Sequence, residues 1–291
     1  MMFVMEKVYF TKNITAESLV KIYKKLGVSL NGKIAVKIST GELGGHNYLK
    51  PELIKDLVNK LNGTIVECNT AYNGQRNDTK KHLEVVRAHG FDKIANVDIM
   101  DAEGEIAIPV NDGIHLDKNY VGKNLKNYDS MLVLSHFKGH VMGGYGGALK
   151  NISIGIASSH GKAYIHGVKN PENIWTANHD DFLECMADAA KSVIDYLGSE
   201  NVIYINVLNN LSIDCDCDSN PTPPELEDIG IMASTDPVAL DMASIDAIYR
   251  HPSSKKDSLI KRIESLNGKH TIDVAYQLHI GNKEYELVDI D

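Results

Sequence analysis

The residues from Ser135 to Asn151 hold more reactive side chains than any other part of the sequence. They read Ser135-His136-Phe137-Lys138-Gly139-His140-Val141-Met142-Gly143-Gly144-Tyr145-Gly146-Gly147-Ala148-Leu149-Lys150-Asn151. Glycine lets a backbone approach a ligand closely and turn its amides toward an anion. Gly143, Gly144, Gly146 and Gly147 are therefore expected to contact an anion, with Lys138 and Lys150 supplying positive charge and His136 and His140 moving protons. Four of the 12 histidines (His136, His140, His160, His166) fall between residues 136 and 166, more than an even spread would place there. A helix starting near Gly147 would point its amino end at the same loop. The bland alternative is a flexible turn with solvated lysines. The run is neither a Walker loop nor a Gly-x-Gly-x-x-Gly dinucleotide fingerprint.

A second group, Asp214-Cys215-Asp216-Cys217-Asp218, alternates thiols with carboxylates. If extended, it puts Cys215 and Cys217 on one side and the acids on the other. A Cys-x-Cys disulfide closes a very small ring, so it is not expected. Neighbouring carboxylates raise thiol pKa values, which argues against a free nucleophile. A bound cation would reconcile the group, which makes Cys215 and Cys217 candidate metal ligands, with His136 or His140 beside them. A third segment, from Glu67 to Arg76, offers Asn69 and Arg76 for anion binding and Tyr72 as a proton donor or wall. Cys68 and Cys185 are expected in the core.

The elements that must position these residues alternate almost from the start. Strands are predicted at Lys7–Phe10, Lys33–Ile38, Thr64–Cys68, Asn96–Met100, Glu105–Val110, Met131–Ser135, Val202–Val207, Ile229–Ala233 and Tyr285–Val288. Helices are predicted at Ala16–Leu26, Pro51–Leu61, Thr79–His89, Asp180–Tyr196, Pro237–Tyr249, Ser258–Leu266 and Thr271–Leu278. This rhythm gives an α/β fold with a largely parallel sheet and helices on both faces. Two α/β lobes with a cleft between them, residues 1–120 and 121–291, are the expected division. The loops after Ile38, Cys68 and Ser135 should then share one edge of the sheet, where such folds place ligand sites.

Composition narrows the function. With 39 acidic and 30 basic residues among 291, the net charge of -9 argues against a general nucleic-acid or anionic-membrane binder. No apolar run approaches the length of a bilayer span, and four cysteines do not make a disulfide scaffold, so a cytoplasmic location is expected.

Several runs resemble, in order, the family known as domain of unknown function 362, whose members carry an iron–sulfur-centre label. They are Cys68 to Arg76, Leu134 to His140, Gly144 to Asn151, Asp214 to Asp218, and Asp228-Ile229-Gly230-Ile231 through Asp236-Pro237-Val238-Ala239. Many members of that family carry a ferredoxin-like cysteine insert after the segment matching Gly161 to His166. Here the chain runs from His166 to Trp175 without a cysteine. A ferredoxin-type 4Fe-4S cluster within one chain is accordingly not expected, which leaves a cluster shared between subunits. A fainter similarity ties His140 to Lys150 and Asn201 to Asn209 with lactate racemase, whose cofactor is a nickel pincer. That likeness implies Lys150 as an attachment or anion-contact residue and His160 or His166 as a metal ligand.

The expectation is a metal-dependent enzyme, zinc, iron or nickel, acting on a small anionic metabolite or cofactor, with redox chemistry ahead of isomerisation. Its rivals are a racemase or epimerase of a hydroxy acid and a non-enzymatic metal or cluster carrier. Catalytic roles fall to His136, His140, Tyr72 and Lys150. A homo-oligomer and a redox partner protein are both compatible with the sequence.

Overall fold

The computed structural model describes residues 5–291. Its strands are β1 (Glu6–Thr11), β2 (Ile34–Lys37), β3 (Thr64–Glu67), β4 (Val97–Ile99), β5 (Glu105–Pro109), β6 (Lys118–Gly122), β7 (Ser130–His136), β8 (Lys138–His140), β9 (Gly144–Gly146), β10 (Val202–Leu208), β11 (Gly230–Ser234) and β12 (Tyr285–Asp289). Its helices are α1 (Ala16–Lys25), α2 (Pro51–Lys60), α3 (Thr79–His89), α4 (Ala148–Ser153), α5 (Ser159–His166), α6 (His179–Leu197), α7 (Pro237–Arg250), α8 (Asp257–Ser265) and α9 (His270–Gln277).

Eight strands form one sheet in the order β12-β1-β11-β10-β7-β2-β3-β4. β10, β7, β2, β3 and β4 run parallel, and β11 is antiparallel to both of its neighbours. All seven residues of β7 and of β10 are buried, as expected for central strands covered on both faces. Leu19 and Ile22 of α1, Ile54 and Leu57 of α2 and Val86 of α3 pack on one face. Leu149 of α4, Val193 of α6, Leu240 of α7 and Val274 of α9 pack on the other. Residue 120 lies in β6, and β2 from before it pairs directly with β7 from after it.

Four elements escaped prediction: the strands β6, β8 and β9 and the helix α5. β6 pairs antiparallel with β5, and β8 with β9, in two small ribbons outside the main sheet. The glycine content of the second ribbon hides its strand character. α5 lacks a strong apolar stripe and is held by packing: Ser158 caps it by accepting from the Gly161 amide, and its first turn presses on β6. A Cβ at Gly161 would lie 1.9 Å from the Tyr120 carbonyl oxygen. Gly161→Ala should therefore cost about 1–3 kcal/mol through forced displacement of backbone, read as a lower melting temperature.

Candidate functional site

Because β2, β3, β7 and β10 run parallel, the loops leaving their carboxyl ends converge on one edge. There they enclose a cavity of about 940 Å³. Tyr72, Arg76, His136, Lys138, His140, Gly146, Gly147, Lys150, His166, Cys215 and Cys217 all line it. Asn69, Gly143, Gly144 and His160 do not. Asn69 bonds Thr79 and His82, and its amide donates to Asp101. His160 is half exposed and pairs with Glu105.

The cavity is cationic although the chain is acidic. Lys37, Lys138, Lys150, Lys162 and Arg76 all border it. Burial, followed by the charges of Lys138, Lys37 and Lys162, lowers the Lys150 amine to about 7. The Lys150 amine makes no hydrogen bond or ion pair among the described residues, although the backbone carbonyl of the same residue accepts from Gly155 and Ser153. Lys37 falls to about 8, again chiefly by burial, with Glu67 opposing. Lys37 and Lys162 carried no motif, although a lysine inside the apolar run Ile34-Ala35-Val36-Lys37-Ile38 is itself a signal.

The carboxylates around these cations hold loops in place. Arg76 reaches Glu42 at 3.4 Å and Glu67 at 3.3 Å, and it donates to the Tyr72 hydroxyl at 3.2 Å. Burial alone would raise Glu67, but His82, Arg76 and Lys37 outweigh it and hold the carboxyl well below the usual range. Tyr72 is raised, mainly by burial. The Cys68 thiol donates to the Ile156 carbonyl, and burial pushes it up to about 12.

The three histidines of the cavity have distinct states, which their partners reveal. His136 faces Asp216 with Nδ1 at 2.8 Å and the Asn209 carbonyl with Nε2 at 2.7 Å. Only imidazolium donates from both nitrogens, so His136 anchors Asp216 and has no lone pair to offer. His140 accepts from the Gly143 and Met142 amides on Nδ1, at 2.9 and 3.2 Å, which leaves the proton on Nε2. His166 donates from Nδ1 to the Lys162 carbonyl at 2.7 Å, so its Nε2 keeps the lone pair. Burial lowers both rings, His166 to about 4, with Lys150 adding to the effect in each. The cavity thus holds one neutral imidazole with N–H free and one with a lone pair free.

Two expectations need correction. The amides of Ala148 and Leu149 donate to the Asp241 carboxylate at 2.8 and 3.0 Å, so the start of α4 is capped from within and no ligand meets it. A Cβ at Gly147 would strike the same carboxylate, which explains that glycine as close packing. The Asp214–Asp218 segment is also a turn and not extended, with the Asp218 amide donating to the Cys215 carbonyl. Two of its three acids are already paired with cations: Asp216 with His136 and with Lys138 at 2.8 Å, Asp214 with Arg262 at 3.8 Å. Charge compensation therefore gives little argument for a metal there.

The turn brings the Cα atoms of Cys215 and Cys217 to 5.3 Å, and the sulfurs are joined as a disulfide, which the small ring had argued against. His140, Cys215 and Cys217 place ligand atoms within 4.8 Å of one another and form a group that could hold a metal ion. His140 could join only by giving up its amide bonds or its remaining proton, so the two sulfurs are the donors that define the group. They are available as thiolates only after reduction. The mouth, by contrast, is apolar: Leu43, Val141 and Trp175, 47, 51 and 74% exposed, all border it.

No helix among the described residues is long and apolar enough to cross a membrane. The chain is similar in fold to the lactate racemase apoprotein from Thermoanaerobacterium thermosaccharolyticum, at 15% identity and a TM-score of 0.47 over 84% of this chain. It is likewise similar to a Thermotoga maritima protein solved by structural genomics, at 11% identity and a TM-score of 0.45 over 90%. It spans 57% and 58% of the lengths of those two proteins. No curated protein sequence matches it. The model of the domain of unknown function (DUF362) family matches residues 34–246, which hold six of the eight strands of the central sheet and every loop of the cavity, and the chain belongs to that family.

Proposed function

We propose that the protein is a metal-dependent enzyme that takes a small anionic metabolite or cofactor into the cationic cavity and carries out redox chemistry there. The observation that supports this most is Lys150: an amine lowered to about 7, bordering a cavity and without a hydrogen-bond partner among the described residues, beside three further lysines. An anion arriving there would be met by Lys150, Lys37 and Arg76, with His140 Nε2–H as a donor and His166 Nε2 as an acceptor. Cys215 and Cys217 would hold the metal in their reduced state, where it would supply Lewis-acid or one-electron chemistry. A carrier needs only the metal ligands and gives no reason for the lysines. The opposed tautomers of His140 and His166 favour a second reading, a racemase or epimerase of a hydroxy acid, because such a reaction needs one group to remove a proton and another to return it.

Protein reduced and purified without oxygen should contain more zinc, iron or nickel than protein oxidised to the disulfide. Cys215→Ser/Cys217→Ser should lose the share of metal that oxidation removes. Metal analysis finding equal content in the variant, or in the oxidised protein, would refute the assignment of these ligands. Turnover of a hydroxy-acid panel without net oxidation would move the assignment from redox enzyme to isomerase.

A further inference from the structure

Outside the cavity, one more group of side chains has the donor types and spacing of a metal centre. His115 lies on the loop between β5 and β6, Asp181 and Glu184 lie on consecutive turns of α6, and His270 opens α9. His115 Nε2 is 2.6 Å from one oxygen of Glu184, and His270 Nε2 is 2.9 Å from the other. A ligand atom of Asp181 lies within 4.8 Å of those of His115 and Glu184. The side chains of His115, Glu184 and His270 are between 21 and 26% exposed, so an ion has a path in and room to keep a water. None of the four residues borders the cavity.

The surroundings fix this arrangement beyond what an ordinary surface ion pair requires. Asp188, fully buried one turn beyond Glu184, accepts hydrogen bonds from the amides of Ile114, His115 and Leu116 at 2.8, 2.7 and 2.8 Å. Lys169 donates to the His115 carbonyl at 2.9 Å. The backbone carrying the His115 ring is thus clamped to the same face of α6 that presents Asp181 and Glu184. Metal sites are built in this way, with ligands on rigid elements and the far oxygen of a ligating carboxylate bonded to a second group, here His270.

We propose that His115, Asp181 and Glu184 bind a divalent transition ion of the zinc type, with His270 either orienting Glu184 or completing the ligand set. One imidazole with two carboxylates suits zinc better than calcium or magnesium, which favour oxygen donors alone. The ion would replace the proton that His115 now shares with Glu184. It would tie the β5–β6 loop to α6, two elements far apart in sequence, so binding would also stabilise the fold.

The test is titration of the Cys215→Ser/Cys217→Ser protein with Zn²⁺ against a chromophoric chelator, which removes the cavity thiols from competition. One ion should bind per chain and raise the melting temperature. His115→Gln and Asp181→Asn should each weaken binding at least tenfold, and His270→Gln should weaken it by about 10–100-fold, as loss of an orienting group does. Circular dichroism on each variant would confirm folding. Should one variant fail to fold, the other two carry the test. Failure of Zn²⁺ to bind at micromolar concentration, or unchanged binding in folded His115→Gln and Asp181→Asn, would overturn the proposal and leave the cluster as two histidine–glutamate pairs that join α6 to its neighbours.

Discussion

Sulfate, which does not itself titrate in this range, should be held in the cavity less tightly as pH rises from 7 to 9, by up to about tenfold per pH unit from Lys150 alone, and Lys150→Met should flatten that slope. The sign follows from the free protein. Lys150 stands at about 7 because burial and the neighbouring lysines disfavour its charge, so it is half deprotonated at neutrality. A bound anion favours the ammonium and raises this value, so between the two pKa values binding takes up a proton and affinity falls as pH rises. Below pH 7 the amine is already charged and the curve should level. Lys37, lowered to about 8, would steepen the fall above that pH and leave a residual slope in Lys150→Met. At pH 6.5 the same variant should lose about 1–3 kcal/mol of binding, the range for a charge-assisted hydrogen bond. Trp175, the only tryptophan and 74% exposed at the mouth, gives a fluorescence readout without labelling. Affinity that does not change between pH 6 and 9 in the unmodified protein would show that Lys150 does not meet the anion.

The features legible in the sequence were those set by local rules. Alternation of apolar strands with striped helices predicted the parallel sheet, and the parallel sense placed the loops after Ile38, Cys68 and Ser135 on one edge, where the cavity lies. Features set by distant partners were not legible. Gly147 reads as a residue that frees amides for an anion, but Asp241, from α7, occupies those amides. His136 reads as a catalyst because it follows a buried strand, yet its two partners, Asp216 and Asn209, lie over 70 positions away and fix it as a cation. The alternation of Cys215 to Asp218 suggests a two-sided strand, and only the turn, closed partly by the Glu42 amide donating to the Asp216 carbonyl, shows that Asp216 points inward. Residue type located the site, but the tautomers and charges within it come from the tertiary fold.

That inward carboxylate makes Asp216→Asn the substitution expected to damage the scaffold most. Asp216 is buried and its two oxygens face the His136 ring and the Lys138 ammonium, each at 2.8 Å. Burial would raise its pKa, but the two cations outweigh that and hold the carboxyl well below the usual range. Its contribution to stability is therefore present above the unfolded-state pKa and is lost only as pH falls through the depressed folded value. Asparagine keeps the shape and removes the charge, leaving two buried cations without a counterion. Breaking a buried pair in this way costs about 3–5 kcal/mol, so chemical denaturation at pH 7 should show a loss of that order. Removing the cations as well, in His136→Gln/Lys138→Met/Asp216→Asn, should recover part of the loss, because what destabilises the single variant is the uncompensated charge and not the missing contact. If the triple variant is instead as unstable as the summed singles, Asp216 acts through packing alone. The consequence for chemistry is separable from stability. Cys215 and Cys217 flank Asp216, so releasing it should free the turn, and the reduced thiols should react faster with iodoacetamide under conditions where the protein is still folded. A single variant that is destabilised but alkylated at the unmodified rate would show that the His136–Asp216–Lys138 group supports the sheet edge without positioning the cysteine pair.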